Sequence, residues 1–501
     1  MKRFLILTSS LALLFLSNCE EPNGSPVIGD LSASNLNPYT LEKVVLTASA
    51  TDPENDVLTV SWEASAGSFS GATDSDTVTW VAPAAATAAT ITVTYSDGSN
   101  SVSQSIDLTV GDLPQLAYVG SATCGDCHVD IYGTFIESGH PYKFNLVHNG
   151  VAPTYPSFVT NYVTELPTGV SSWNDVAGVI GGYGWKERFV GIDGQIIGTG
   201  GSAVSAGTGQ NQHNFFEGYD WGWVDYHPND VKPYNYSCFK CHTTGAVETA
   251  NPDSSWLKVQ LDITDPNDSP LGYFEYGGIQ CEACHGKGSQ HAVTGNTDYI
   301  DRITTSRLEG VKNDVVALCG DCHTRNADRS IAVSGGKIKH HEQYDEFIST
   351  AHYQDGGLTC ISCHDPHKRV EWEGDGIKTA CTSCHTDAKY QVTGSMSYLE
   401  CVDCHMPFAA KSGISRGTYV GDINSHLFSI STDTTWNMIS DDGATVRVDS
   451  NGKSHLSLEF ACYGCHDDGN GNGGHETSPG NRVAYSAKSK TDLYNRALTI
   501  H

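Results

Sequence analysis

Sixteen of the seventeen cysteines in this chain form eight pairs with two residues between the members, and each pair is followed at once by a histidine. The first four runs are Cys124/Cys127/His128, Cys238/Cys241/His242, Cys281/Cys284/His285 and Cys319/Cys322/His323. The other four are Cys360/Cys363/His364, Cys381/Cys384/His385, Cys401/Cys404/His405 and Cys462/Cys465/His466. This spacing serves covalent haem attachment. Two thiols add to the two vinyl groups of a haem, and the adjacent histidine reaches the iron from one face. Zinc sites also use Cys-x-x-Cys, but they do not require a histidine after every second cysteine. Histidine fills 21 of 501 positions, so eight chance matches in a row are negligible, and a disulfide framework fails on the same ground. The pattern predicts eight c-type haems, with their iron held by the eight motif histidines.

A six-coordinate iron needs a second axial ligand, and thirteen histidines lie outside the motifs. Position near a motif or on an expected helix singles out His140, His291, His352, His367 and His426, then one of His340 and His341, then His475 and His501. His148, His213, His227 and His455 are weaker candidates. Of the adjacent pair, His341 is the one retained. His367 follows His364 by three residues with Pro366 between them, which precludes a regular helix there. It is therefore expected to serve a neighbouring iron and not the one held by His364.

The elements that must position these residues change along the chain. Lys2 and Arg3 precede a mostly apolar run to Leu16, too short to span a membrane and suited to a secretory signal over 1–19. It ends in Leu16-Ser17-Asn18-Cys19, which resembles a bacterial lipoprotein signal. Cys19 is the cysteine left over from the pairs and the expected lipidation site, giving a membrane anchor. A linker over 20–25 leads to 26–112, where apolar and polar residues alternate in short runs such as Val57-Leu58-Thr59-Val60-Ser61-Trp62. These predict antiparallel strands in a small β-sandwich. With its Asp52-Pro53-Glu54-Asn55-Asp56 stretch, the segment resembles bacterial immunoglobulin-like modules, with Trp62 in the core and the acidic stretch as a turn. From 118 to 501 the pattern predicts a loop-rich domain organised by eight covalent haems, with helices only in pieces such as 345–352 and 488–497. The cysteine-free segment before Cys238 is glycine-rich and aromatic, and is expected to be a strand-rich insertion over 150–235. It could cover the haems, or it could wall a pocket with Lys186 or Arg188.

Acidic residues number 58 against 29 Lys plus Arg, a formal net charge of -29. A nucleic-acid partner is excluded, since phosphate binding needs a basic surface. Other redox proteins are the expected partners.

Several stretches carry a resemblance. Tyr118-Val119-Gly120 leads to the first motif, and Ser138-Gly139-His140 follows it. Further on come CEACHGKGSQH from Cys281, CHDPH from Cys363, CVDCHMP from Cys401 with NSHLF after it, and EFACYGCH from Glu459. The chain from Tyr118 onward resembles the multihaem cytochromes c that include octahaem hydroxylamine oxidoreductases, octahaem tetrathionate reductases, cytochrome c nitrite reductases and their electron-carrier relatives. The resemblance implies a mainly helical fold with closely packed haems, and distal ligand roles for His140, His291, His367 and His426.

Two functions of different class follow. An exported electron carrier, periplasmic or held at the outer membrane, needs closely spaced haems and no open iron. An oxidoreductase acting on a small nitrogen or sulfur compound needs one iron with a free position. All eight motifs end in histidine, unlike the lysine that nitrite reductases of that family often place at the catalytic haem. A subunit of an extracellular haem filament is compatible with the carrier. No catalytic residue is assigned from sequence.

Overall fold

The computed structural model describes residues 22–159, 165–216, 218–247, 274–301, 304, 306–307, 314–326, 328–372, 374–386 and 394–500. The signal segment with Cys19, and His501, lie outside the described residues. Two compact units are formed, one up to Gln115 with Val293–Asn296, the other from Leu116 onward.

In the first unit, seven strands form two antiparallel sheets around one core. The strands are β1 (Val27–Ala33), β2 (Lys43–Thr51), β3 (Thr59–Ala64), β4 (Ser68–Phe69), β5 (Thr77–Val81), β6 (Thr87–Ser96) and β7 (Ser101–Val110). One sheet has the order β1-β2-β5-β4 and the other β3-β6-β7. The alternation read in the sequence sends Val44, Leu46 and Ala48 of β2 inward, against Trp80 and Ile91. Trp62 is buried, and its indole N–H donates to the Ser75 carbonyl at 2.9 Å. Asp52 begins a turn, its Oδ1 accepting from the Glu54 and Asp56 N–H groups.

The second unit departs from the mainly helical expectation. Its largest element is a five-stranded antiparallel sheet in the order β12-β11-β10-β9-β8. The strands are β8 (Phe144–Leu146), β9 (Val176–Gly181), β10 (Lys186–Gly191), β11 (Gln212–Phe216) and β12 (Tyr219–Val224). The strand-rich insertion is therefore present, but helices do not dominate around it. The longest described helix, Lys490–Ile500, has 11 residues, and those at the motifs have 3 to 9. The physical reason is that each helix here needs only to present one short motif. A second small sheet joins Lys337–Lys339 to Val333–Ser334 and Ala410–Lys411, over a core of Ile338, Leu427, Met438 and Leu456. Among the described residues no helix is long and apolar enough to cross a membrane.

The five-stranded sheet is covered on both faces. Phe189 and Val190 are neighbours on β10 and point to opposite sides, Phe189 to a cluster with Val179 and Ile197, Val190 to one with Phe144 and Tyr234. The β9–β10 turn runs through Gly181, Gly182 and Gly184, with φ of 80°, 88° and 109°. A side chain at Gly182 would also strike the Tyr155 hydroxyl, so glycine is required there.

Candidate functional site

Each Cys-x-x-Cys-His run is wound into about one helical turn. The N–H of the motif histidine bonds to the carbonyl of the first cysteine at 2.9 Å in His128 and His385, and at 3.0 Å in His364 and His466. Residues i, i+3 and i+4 lie on one side of such a turn, which is how two thiols and an imidazole can meet one group. Local capping fixes the turns. Thr359 and Ser362 form a capping box on Cys360–Cys363, and Asp314 accepts from the Val316 and Ala317 N–H groups at the start of Val315–His323. None of the sixteen motif cysteines is joined to another in a disulfide.

The eight motifs share one cavity of about 3630 Å³, lined by the histidine and at least one cysteine of every motif. Small-molecule pockets occupy roughly 300–1,000 Å³, so the space fits several large planar groups and not one. His140, His291, His340, His341, His352, His367 and His426 also line it.

Fourteen of the sixteen motif cysteines line this space, and Cys127 and Cys238 do not. Cys127 is exposed, whereas its partner Cys124 is half-buried and lines the cavity with His128. The reason lies in the local backbone. The helix carrying Cys124, Ser121–Gly125, ends before Cys127, and the next, Val129–Phe135, begins only after His128. Cys127 thus sits in the turn between two helices, with its side chain exposed. Cys238 is half-buried and packs instead against the core of Phe144, Tyr234 and Phe239.

The imidazoles inside the cavity face one another in pairs. His128 and His291 have ring centroids 6.2 Å apart with planes 17° apart. The values are 6.2 Å and 11° for His285 and His367, and 6.1 Å and 34° for His364 and His426. His385 and His352 stand 5.9 Å apart at 83°. With metal–nitrogen bonds of about 2.0 Å and a centroid roughly 1.1 Å behind each nitrogen, two imidazoles on opposite faces of one metal ion place their centroids about 6.2 Å apart. The residues therefore fit an iron between each pair. Among the described residues no three His, Cys, Asp or Glu groups converge as a self-contained metal site would require. His341 faces two motif histidines, His242 at 6.3 Å and His323 at 6.4 Å. His140 is half-buried beside His323, and its ring bonds to the Pro366 carbonyl. Beside His466 the ring is that of Tyr485, 6.3 Å away. His475 lies outside the cavity lining, its Nδ1 3.0 Å from the Gly464 carbonyl. His213, His227 and His455 are bonded to Asp220, Asp230 and Asp449.

Hydrogen bonds and burial keep these imidazoles in the form that binds metal. Nδ1 lies 3.0 Å from the Asp301 carbonyl in His285, 2.6 Å from Phe428 O in His405 and 3.2 Å from Ser486 O in His466. A carbonyl accepts only, so Nδ1 carries the hydrogen and Nε2 keeps its lone pair. Burial pushes His140 and His426 down to about 3. In His242 burial comes first, then the charges of Lys143, Arg188 and Lys186, and the value is again about 3. Neutral imidazole is thus the resting state.

Three further features bear on the site, and the sequence reading anticipated only the last of them. Glu282, between two motif cysteines, is buried and accepts from the N–H groups of Val119, Gly120 and Gly288, tying the lead into the first motif to the third. Glu342 and Glu346 lie buried behind His341 and His426. Burial, then the like charge of Asp345, raises Glu342 to about 8, and burial raises Glu346 to about 7. The inner face of β10 sends Lys186 and Arg188 into the cavity, so the insertion walls the space as well as covering it. Apart from the β10 cations, which the sequence reading named as a possible pocket wall, these contacts link residues far apart in sequence, and no local pattern marks them.

No protein-family model matches the chain. The chain is 29% identical over 185 residues to the multiheme cytochrome MtrA of Shewanella baltica (strain OS185). The match covers 34% of this chain and 45% of that protein, so the chain spans less than half the length of the relative it matches. This likeness supports a multihaem c-type cytochrome. The solved structures it resembles are matched over small parts of the chain. They include the PKD1 domain of Vibrio anguillarum Epp, at 19% identity over 18% of this chain and 99% of that one with a TM-score of 0.15. Another is the Yersinia pseudotuberculosis adhesin InvE, at 21% identity over 18% and 27% with a TM-score of 0.14. Likenesses this slight carry no weight for the fold or function of this chain.

Proposed function

We propose that the chain is an exported octahaem c-type cytochrome that carries electrons through closely spaced haems. The observation that carries the reading is the single cavity into which all eight motifs open, with second imidazoles about 6 Å from motif histidines. A bound haem supplies an iron that takes up and releases one electron. The chain's own residues would hold it by two thiols and a neutral Nε2, and the facing imidazole would supply a second nitrogen. At the first motif the two thiols are those of Cys124, inside the cavity, and Cys127, on the exposed side of the turn. His128 with His291, His285 with His367, His364 with His426 and His385 with His352 are the proposed axial pairs, and His341 serves His242 or His323. An iron with imidazoles on both faces offers no position to a substrate, which favours carriage over catalysis. Expression with intact maturation machinery should give a protein whose mass carries eight covalent haems. Fewer haems on whole-protein mass spectrometry would overturn the count.

A second reading, an oxidoreductase for a small nitrogen or sulfur compound, draws on His466. Among the described residues its neighbouring ring is a tyrosine and no second imidazole faces it. A high-spin fraction near one haem in eight, assigned to that motif, would favour this reading, and a wholly low-spin spectrum the carrier.

The proposed location is the outer membrane or cell surface, through lipid on Cys19. The protein should fractionate with membranes, and Cys19→Ser should release it. An unmodified protein already found in the soluble fraction would refute the anchor.

A further inference from the structure

One wall of the cavity is cationic without matching carboxylates. Lys186 and Arg188 lie two residues apart on β10 and so share its inner face. Both line the cavity, and so does His340. The Lys186 ammonium donates to the Ser412 carbonyl at 2.8 Å, and the Arg188 Nε–H to the Gln212 Oε1 at 2.6 Å. The Arg188 guanidinium also lies 3.6 Å over the Tyr226 ring. Every one of these partners is neutral. Among the described residues neither cation has a carboxylate within ion-pair distance. Asp422 is the acidic group felt most by Lys186, but its two oxygens already accept from the Ser412, Gly413 and Ile414 N–H groups. A charge withdrawn from water is costly unless a counter-charge meets it. Burial holds Lys186 well below the usual lysine range, with the neighbouring charge of Arg188 adding to it, as expected of cations lacking such a partner. Lys143, half-buried, adds a further positive charge felt by His242.

We propose that Lys186 and Arg188, with His340 beside them, form an anion site for a carboxylate or small oxyanion next to His242. The proposal rests on the reading that Cys238, Cys241 and His242 hold a haem. The anion has two possible sources, a propionate of that haem or a dissolved oxyanion, and both present oxygen pairs that a guanidinium and an ammonium can grip.

The test uses purified holoprotein, with Lys186→Met and Arg188→Gln set against Lys43→Met in the β-sandwich as control. Haems are counted by mass spectrometry and peptide mapping, midpoint potentials are followed by spectroelectrochemistry between pH 6 and 8, and the ferric protein is titrated with sulfite by electron paramagnetic resonance. If a propionate occupies the site, Lys186→Met lowers one midpoint potential and makes it more pH-dependent, while the other haems stay put, because a cation no longer holds the propionate ionised. If a dissolved oxyanion occupies it, sulfite perturbs one haem signal saturably, and either variant weakens this about tenfold or more. Either result supports the site and names its occupant. A full haem count with potentials and sulfite response unchanged in both variants overturns the anion site alone. A wild-type protein lacking haem on the Cys238 peptide overturns the haem reading and the site with it.

Discussion

His367→Ala should leave every covalent haem in place and turn one low-spin iron high-spin. The altered iron should be the one proposed at His285, whose ring centroid lies 6.2 Å from that of His367 with planes 11° apart. The motif histidine of His367's own segment, His364, faces His426 instead. Asp365 steers the segment, its Oδ1 accepting from the His367 N–H at 3.0 Å and lying 3.3 Å from His367 Nδ1. That contact leaves Nε2 directed at the partner ring. One short stretch of chain would thereby serve two irons, His364 for one and His367 for the next, and fix their spacing. The checks are the high-spin absorption band and the paramagnetic resonance spectrum, with His227→Ala, outside the cavity, as control. A variant that stays wholly low-spin would show that His367 ligates nothing.

Glu282→Ala should be among the most destabilising single changes in the second unit. The Glu282 carboxylate is 2% exposed and accepts from Gly120 N and Gly288 N at 2.8 Å and from Val119 N at 3.0 Å. Alanine would leave these backbone donors buried and unpaired, at a cost of about 3 kcal/mol or more. Glu282→Gln keeps one accepting oxygen but turns an NH2 group toward a donor, so it should fall between wild type and alanine. Thermal unfolding followed by circular dichroism, with haem content measured on the same samples, checks both. Equal stability of the alanine variant would mean that water satisfies the donors and the clamp contributes little.

The motifs were legible because attachment chemistry dictates residues within five positions. What the spacing did not carry was the setting of each thiol, so the exposure of Cys127, in a turn between two helices, could not be read from it. The strands of the first unit were legible too, since β2 and β6 alternate cleanly between one core and solvent. The helical expectation for the second unit failed because it came from resemblance and from no periodicity in the chain. On β9, Val176 to Val179 are buried consecutively, so the sheet's two covered faces erase the alternation that would have announced a strand. The facing of His128 with His291 joins residues far apart in sequence. Spacing near a motif could nominate His291, but only the tertiary structure could say which ring it meets. The Glu282 clamp was hidden because the residue occupies a variable position inside a motif, where attention falls on the cysteines.

The helical turn under each motif also bears on how such a chain can grow. Each Cys-x-x-Cys-His unit carries both of its thiols and its first imidazole within five residues. Short helices leave little for an insertion between units to throw out of phase, unlike a long packed helix, where one added residue rotates everything beyond it by about 100°. The architecture is therefore modular at the scale of a pentapeptide. Redox centres can be gained, lost or respaced by small insertions in the loops, while the geometry within each unit stays constant.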